Sequence, residues 1–580
     1  MATPPEHDNA GPAWLQASWA VVAAFTLVFG ACAARTVQGG DAGEFMTLAA
    51  AGGVAHPPGY PLFTLGLRVL GMVPIGSVPW RASMLAALLG AGALGLVHAT
   101  VRDRTGSGLA GWVAAGALGF TVPFFRYATV AEVFAGAAFT GALVVYVASR
   151  IQSGWRGPWA GLALGLAVAT GVANHHTVIL LAPIAVWAAL TAPGSWRRAP
   201  ATWGATLGGL VPGFLAYGLL LLPGGGWRWG ETGTLDGVIH HVLRRDYGTF
   251  NLALDGADID WWAHALDYAQ TLPLHWVGVF AAVAVLGLVI SRERQWSLAL
   301  LATWVLAGPV FLCKFNVPDV GLGVVVASRF TILPTTVLAV AVGMGAAWLL
   351  ERSRAAAPVL ALALVLQAAV AVPQASHARW TVLEDYVLNA LGAVEPGAYV
   401  VVASDSFFFG GLYAQTVLDV RPDVVLVHPR MLSYAWYRRD LGAAHPELEP
   451  ELLTPGTLPE LVERARAVRP VYLSFELAEG RSDLPPLVPE SLVLARVAPV
   501  GMAPPPPAAV EQQLLRAQDA LLIRSTLTHE RQLRHTWEGW APVQYARAWT
   551  MLGTGFEQSG DAQGAARCQA QADAWVPWTY

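Results

Sequence analysis

Asp41, Glu44 and His56 lie close together in the stretch GGDAGEFMTLAAAGGVAHPPGYPLF, Gly39 to Phe63, which is otherwise apolar and rich in turn residues. Carboxylates and imidazoles are the side chains that most readily take or give protons near neutral pH. The run from Asp41 to Ala51 predicts an amphipathic helix. Asp41 is near its start and Glu44 three residues on, so both carboxylates share one face. The same spacing is that of a capping box, which is a purely structural use of the pair. The HPPGYP turn at 56–61, which contains Tyr60, ends that helix. It returns the chain through 61–73, read as an interfacial segment because Pro and Gly punctuate it.

Three more places combine reactive side chains. In FRYATVAEVFA (125–135), Glu132 opens an apolar run, where it serves either a site or the positive end of a helix dipole. ANHHTVI (173–179) holds Asn174, His175 and His176. Adjacent helical positions diverge by about 100° and no third ligand is spaced with the histidines, so they read as donors to a phosphate or a sugar hydroxyl rather than as metal ligands. GWRWGETGTLDGVIHHVLRRDYGTF (226–250) brings aromatic surfaces suited to a sugar ring or an isoprenoid chain. It also holds Arg244 and Arg245, suited to a phosphate, followed by Asp246 and Tyr247. The bland alternative is an interfacial aromatic belt with headgroup-binding arginines. Arg329, just before FTILP, suits either lipid phosphate or a buried anionic ligand.

The elements that must hold these residues are set by composition. The chain has 580 residues, 55% hydrophobic and 13% charged, with mean hydropathy +0.48, against roughly 25% charged in an ordinary soluble domain. It reads as a polytopic membrane protein. A net charge of -4 offers no basic excess for nucleic acid. Cys32, Cys313 and Cys568 are odd in number and far apart, which gives neither a disulfide framework nor a zinc spacing. The first residues lack the basic start of a cleaved signal, so Trp14–Ala34 is expected as a retained helix.

At about 20 apolar residues per crossing, eleven spans are expected, near 14–34, 80–101, 108–123, 132–149, 158–174, 177–192, 200–222, 272–290, 296–313, 330–350 and 356–373. The short connections at 102–108, 150–157, 194–200, 291–295 and 351–354 each carry two arginines and are placed in the cytoplasm by the positive-inside rule. That arrangement puts the N-terminus inside. It puts 35–79, 124–131, 174–177, 223–271, 314–329 and everything after about 374 outside. The residues singled out above then share one side of the bilayer. Ionisable groups near a membrane are functional by default, and this sidedness describes a site that opens outward rather than a path through the middle.

After the last span the pattern becomes that of a soluble α/β layer. YVVVASD (399–405), DVVLVHP (423–429), VYLSF (471–475) and LVLARV (492–497) predict buried strands with helical stretches between them. Gly501–Val510 reads as a proline-rich linker. A helix over 511–535 and a segment at 546–577, with a tetratricopeptide-like placement of Trp549, Leu552, Gly553, Phe556, Gly560, Ala565 and Pro577, would close the domain. The expected domains are therefore a membrane domain over 1–373, an α/β domain over 374–500, and a linker with a helical tail over 501–580.

Taken together, GGDAGEFMTLAAAGGVAHPPGYPLFTL (39–65), AEVFA (131–135), NHH (174–176), HHVLRRDYGTF (240–250), SRFTILP (328–334), SDSFFFGGLYAQ (404–415) and RPDVVLV (421–427) give the chain a resemblance. It resembles bacterial relatives of the eukaryotic O-mannosyltransferase family that modifies IPT domains of plexins, within the GT-C glycosyltransferases. The resemblance implies an integral-membrane enzyme. Such an enzyme moves a sugar, mannose in the eukaryotic case, from a polyprenyl-phosphate donor to a hydroxyl of a protein or glycan acceptor on the non-cytoplasmic side, with inversion. It implies an essential acidic residue in the first outer loop, the position of Asp41, with Glu44 as its helper or the true base. His56, Tyr60, Glu132, Asn174, His175, His176 and Tyr247 are then expected to bind substrate, and Arg244, Arg245 and Arg329 to bind the donor phosphate. No cofactor or metal is expected beyond the lipid-linked sugar as co-substrate, because a monophosphate ester does not oblige a divalent ion. Lys314 is the only lysine; an Arg, Ala, Gly and Pro-rich chain of this kind points to a high-GC bacterium, hence the inner membrane with the C-terminal domain in the periplasm.

Two other classes compete. A transporter or flippase of lipid-linked sugars calls for polar groups across the bilayer midplane and repeated halves, and no internal repeat is visible. A membrane-anchored scaffold does not call for eleven spans with acidic outer loops.

Overall fold

The computed structural model describes residues 13–191, 199–222, 225–249, 260–276, 278–317, 322–525, 533 and 535–576. The chain forms two compact units. One comprises Met1–Arg35, Pro57–Pro223 and Thr232–Ala378; the other comprises Thr36–His56, Gly224–Glu231 and Arg379–Tyr580. The segment that carries Asp41, Glu44 and His56 thus belongs with the C-terminal part of the chain, a grouping that sequence order does not display.

The first unit is a bundle of apolar helices. A helix lies at each of the eleven stretches expected to span. Six of the described helices are long and apolar enough to cross a membrane: Val78–Thr105, Phe134–Gln152, Pro200–Leu221, Arg294–Phe315, Ile332–Arg352 and Ala356–Ala375. The others are shorter: Ser18–Cys32, Gly108–Gly119, Pro158–Asn174, His176–Thr191 and Val279–Ile290, and a further helix covers Pro61–Gly71. Ile332–Arg352 is central, with 89% of its apolar stretch buried, whereas Pro200–Leu221 and Ala356–Ala375 are peripheral at 22%. Small residues let helices approach closely where hydrophobicity alone gives no preference. Gly165 on one helix meets Gly209 on another, flanked by Gly161 against Thr202 and Gly213 against Ala169, and a Cβ at Gly165 would lie 2.1 Å from the Thr206 carbonyl oxygen. Gln367 donates across to the Ala117 carbonyl at 2.8 Å, a polar tie between two apolar helices.

The second unit is built on a five-stranded sheet. Val425–Val427, Tyr399–Val401 and Val471–Leu473 run parallel, and Ala495–Val497 and Leu487–Val488 extend the sheet antiparallel. The three parallel strands are buried at every residue, which is why they read as continuous apolar runs. The helix expected over 511–535 is shorter: it starts at Pro507, inside the presumed linker, and ends at Asp519. Beyond it the chain is held open by side chains of the Val382–Ala393 helix. Leu522 N–H donates to Asn389 Oδ1 at 2.9 Å and Arg524 N–H to Asp385 Oδ2 at 2.8 Å, so those donors are not free for a helix. Residues 526–532, which the longer helix would have included, lie outside the described set, as does Pro577. Trp540–Gln558 and Ala562–Trp575 pack together, the second capped by the Asp561 side chain, which accepts from Gly564 N–H.

The Ala42–Ala51 helix forms where expected, but it is buried rather than amphipathic: Ala42 through Ala49 are all buried. Its partner is the Asp405–Val417 helix, and a Cβ on Gly43 would come within 2.7 Å of the Phe409 backbone. Beside it, Gly53–Val54 pairs in parallel with Trp227–Arg228.

Candidate active site

Asp41 is the N-cap of the Ala42–Ala51 helix, yet it makes no side-chain capping bond. The capping-box reading is therefore overturned. Glu44 does not reach back to the helix start, because its oxygens are engaged elsewhere. Oε1 accepts from the His56 backbone N–H at 3.0 Å and from Trp227 Nε1 at 3.0 Å, while Oε2 lies 2.6 Å from His56 Nδ1. Its side chain is 0% exposed. The pairing of 53–54 with 227–228 brings Trp227 to this carboxylate, and it depends on Gly53 at φ +125, where a Cβ would lie 1.7 Å from the Trp227 carbonyl oxygen.

Asp41 is differently placed. Its side chain keeps 20% exposure, His56 keeps 15%, and Asp41 Oδ2 lies 4.0 Å from His56 Nε2. A carboxylate can only accept, so with Glu44 ionised the proton facing it is on His56 Nδ1, and Nε2 is the nitrogen presented to Asp41. The three side chains form a line in which buried Glu44 fixes the imidazole and the imidazole faces the partly open Asp41. Trp229 packs against the His56 ring at 6.2 Å and Trp436 against Trp229 at 5.6 Å, giving the imidazole an aromatic backing. Among the described residues no group of three or more His, Cys, Asp or Glu is arranged to hold a metal ion.

The other expected residues lie in the first unit, in local groups. Tyr60, at φ 44, stacks on His175 at 5.9 Å. His175 also meets Phe134 at 5.2 Å and Phe330 at 6.1 Å, while its Nδ1 lies 2.6 Å from Thr177 Oγ1. Arg329 lies over the Phe134 and Phe330 rings, at 5.2 and 5.5 Å. Tyr60, His175 and Arg329 thus share one aromatic cluster. Asn174 is buried and donates to the Val133 carbonyl at 3.2 Å, next to buried Glu132. A second group joins His176 to Tyr217 at 3.0 Å. In a third, Arg244 lies over the Tyr247 ring at 5.4 Å and His240 meets Asp246 at 2.7 Å. Arg244 adopts φ 52 and packs on Tyr247, while Arg245 is exposed.

The family described as the Protein O-mannosyl-transferase TMEM260 N-terminal domain matches residues 41–197. That span contains Asp41, Glu44, His56, Tyr60, Glu132, Asn174, His175 and His176. Protein O-mannosyl-transferase TMEM260 of Mus musculus is 29% identical over 469 residues. The chain is similar to the TMEM260 protein O-mannosyltransferases. The alignment covers 74% of this chain and 65% of the mouse protein. The Dictyostelium discoideum protein of the same name is 27% identical over 358 residues, 55% of this chain and 43% of that protein. The chain also shares its fold with ArnT from Cupriavidus metallidurans, solved bound to undecaprenyl phosphate. The TM-score is 0.52 at 13% identity, over 84% of this chain and 99% of ArnT. The shared fold is a bundle of apolar helices, six of the described ones long and apolar enough to cross a membrane, followed by a sheet-based unit.

Sequence reasoning missed several residues of the Asp41 site. Trp227 stood out only as part of an aromatic run. Ser406 sat in a motif with no assigned use, and Trp436 and Glu538 carried no local signal.

Proposed function

We propose that this protein is an inverting glycosyltransferase that moves a sugar from a polyprenyl-phosphate donor to a hydroxyl of a protein or glycan acceptor on the non-cytoplasmic side of the membrane. The observation that carries the reading is the line from buried Glu44 through His56 to the partly exposed Asp41. An acceptor hydroxyl is a weak nucleophile near neutral pH. Asp41 takes its proton as the oxygen attacks C1 and the C1–O bond to phosphate breaks, an assistance worth about 10²–10⁴-fold. Glu44, with both oxygens engaged and no exposure, orients His56 instead of reacting.

Charge grows on the departing lipid phosphate, and fixed guanidinium groups stabilise it electrostatically. Arg329, Arg244 and Arg245 are assigned to that task. His56, Tyr60, Glu132, Asn174, His175, His176 and Tyr247 are assigned to substrate binding, with the aromatic cluster around His175 suited to a sugar face or an isoprenoid chain. The family name of the relatives supports mannose as the first sugar to test, and the undecaprenyl phosphate bound by ArnT supports a polyprenyl carrier. The reading includes a chain crossing the bacterial inner membrane eleven times, with its N-terminus in the cytoplasm and its C-terminal domain in the periplasm. Because the donor joins sugar to polyprenol through a single phosphate diester and the leaving group is a polyprenyl monophosphate, the reaction is written without a cofactor.

The test is transfer from a panel of labelled polyprenyl-phosphate sugars to envelope acceptors by purified protein, wild type beside Asp41→Asn. Label moving into protein or glycan with wild type alone supports the reading and names the donor. Equal transfer by Asp41→Asn removes Asp41 as the base. No transfer from any donor by folded wild type removes the transferase reading and turns attention to transport of lipid-linked sugars in proteoliposomes.

A further inference from the structure

The turn that presents Asp41 is held by side chains from far along the chain. Gly39 N–H donates to Glu538 Oε1 at 2.9 Å, and Gly40 N–H donates to Ser406 Oγ at 2.9 Å. Both acceptors are 3% exposed. Side chains are excluded from the turn itself. A Cβ at Gly39 would lie 2.2 Å from Trp537 Cβ, and Gly40 has φ +68 with the Trp537 ring 2.9 Å from where its Cβ would be. Just upstream, Val37 N–H donates to Glu384 Oε2 at 3.2 Å and Gln38 Nε2 to the Trp380 carbonyl at 3.1 Å. Buried backbone N–H groups outside regular structure must find partners. The two that immediately precede Asp41 each find one side-chain acceptor, and those acceptors set the direction in which the Asp41 side chain leaves the backbone.

We propose that Glu538 and Ser406 are positioning residues for Asp41, so that the site is complete only when the Asp405–Val417 helix and the segment before Trp540 close on the Gly39–Gly40 turn. The proposal rests on the reading of Asp41 as the base. Neither residue touches substrate in this scheme. Each acts through a backbone N–H, and a displacement of about 1 Å at a reacting group costs up to about 10²-fold in rate.

The experiment measures kcat and donor KM in the transfer assay, with thermal melting as a check of folding, for the full chain carrying Glu538→Ala, Glu538→Gln, Ser406→Ala or Asp41→Asn. Glu538→Ala is expected to lower kcat by about 10- to 100-fold with donor KM unchanged. Glu538→Gln keeps an acceptor oxygen and is expected to recover most of the rate. A purely structural role would move melting temperature without this rescue. Should Glu538→Ala fail to fold, Ser406→Ala removes a single oxygen and is expected to lower kcat severalfold at constant KM. Wild-type kcat in folded Glu538→Ala or Ser406→Ala, or equal impairment of Glu538→Gln and Glu538→Ala, overturns the proposal. Transfer retained by Asp41→Asn instead overturns the reading beneath it, so the two failures are distinguishable.

Discussion

His56 bridges two carboxylates unequally: its Nδ1 lies 2.6 Å from Glu44 Oε2, while its Nε2 lies 4.0 Å from Asp41 Oδ2. The close contact is on the side with no exposure and the looser one on the partly exposed side. This asymmetry separates two residues that spacing alone leaves equivalent. Glu44→Gln retains the size of the side chain but places an amide NH2 against donors, leaving a buried donor unpaired at a cost of about 1–3 kcal/mol. The expected outcome is a lowered melting temperature with transfer reduced but measurable. Asp41→Asn should abolish transfer at a near wild-type melting temperature. Parallel kcat and melting measurements check the pair. Complete loss of transfer in Glu44→Gln without loss of stability would reassign the base.

Gly53 joins the Asp41 segment to the Trp227 strand, and no side chain fits there. Gly53→Ala must adopt φ near +125 with its Cβ 1.7 Å from the Trp227 carbonyl oxygen, so the 53–54 and 227–228 strands must separate. Trp227 Nε1 then leaves Glu44. Backbone strain of this kind costs of order 1–3 kcal/mol, and the lost hydrogen bond about 1 kcal/mol more. Transfer should fall in step with melting temperature, and Trp227→Phe, which removes the indole N–H together with part of the ring that packs on Trp229, Phe408 and Trp436, should lower both as well.

Much of this arrangement is legible before any coordinates. Apolar runs bounded by turn residues mark the three parallel strands at 399–401, 425–427 and 471–473, because buried parallel strands need no polar face, and a fourth run marks the antiparallel strand at 495–497. The helix after Asp41 is legible as well. Its burial is not, since the surfaces that cover it, Phe409 and the Gly410 backbone, lie hundreds of residues away in sequence. Glu538 is invisible for the same reason: a lone glutamate in a polar tail carries no periodicity, and only its contact with Gly39 gives it meaning. Local sequence reports helix, strand and turn; the choice between Asp41 and Glu44 depends on which one the rest of the chain encloses.

In the first unit, packing of the Pro158–Asn174 helix on the Pro200–Ala216 helix depends on glycine at the crossing. A Cβ at Gly165 would lie 2.1 Å from the Thr206 carbonyl oxygen and 3.0 Å from Gly209 Cα. Gly165→Val forces the two helices apart, and overpacking of this kind costs typically about 1–3 kcal/mol. The variant is expected to melt at lower temperature in detergent, whereas Gly208→Ala, where a Cβ meets nothing within 4 Å, should melt like wild type. Equal melting of Gly165→Val and wild type would refute the close crossing.

Acid sensitivity follows from His428, in the loop after the Val425–Val427 strand. Burial, with Arg430 adding to it, pushes this imidazole down to about 4. An unfolded chain binds that proton near pH 6.5. Between about pH 6.5 and 4 the unfolded state therefore carries more protons than the folded one, and stability falls as pH falls through this window, by about 3 kcal/mol at its lower end. Above pH 6.5 both states are neutral and His428 contributes no slope. His445, also lowered by burial, acts in the same direction, whereas Asp423, held low by its bond to Arg421, acts only at more acid pH. His428→Phe should flatten the dependence of melting temperature on pH between 6.5 and 4.5 without removing it, and His428→Phe combined with His445→Phe should flatten it further. A wild-type slope in the double variant would place the acid-sensitive group elsewhere.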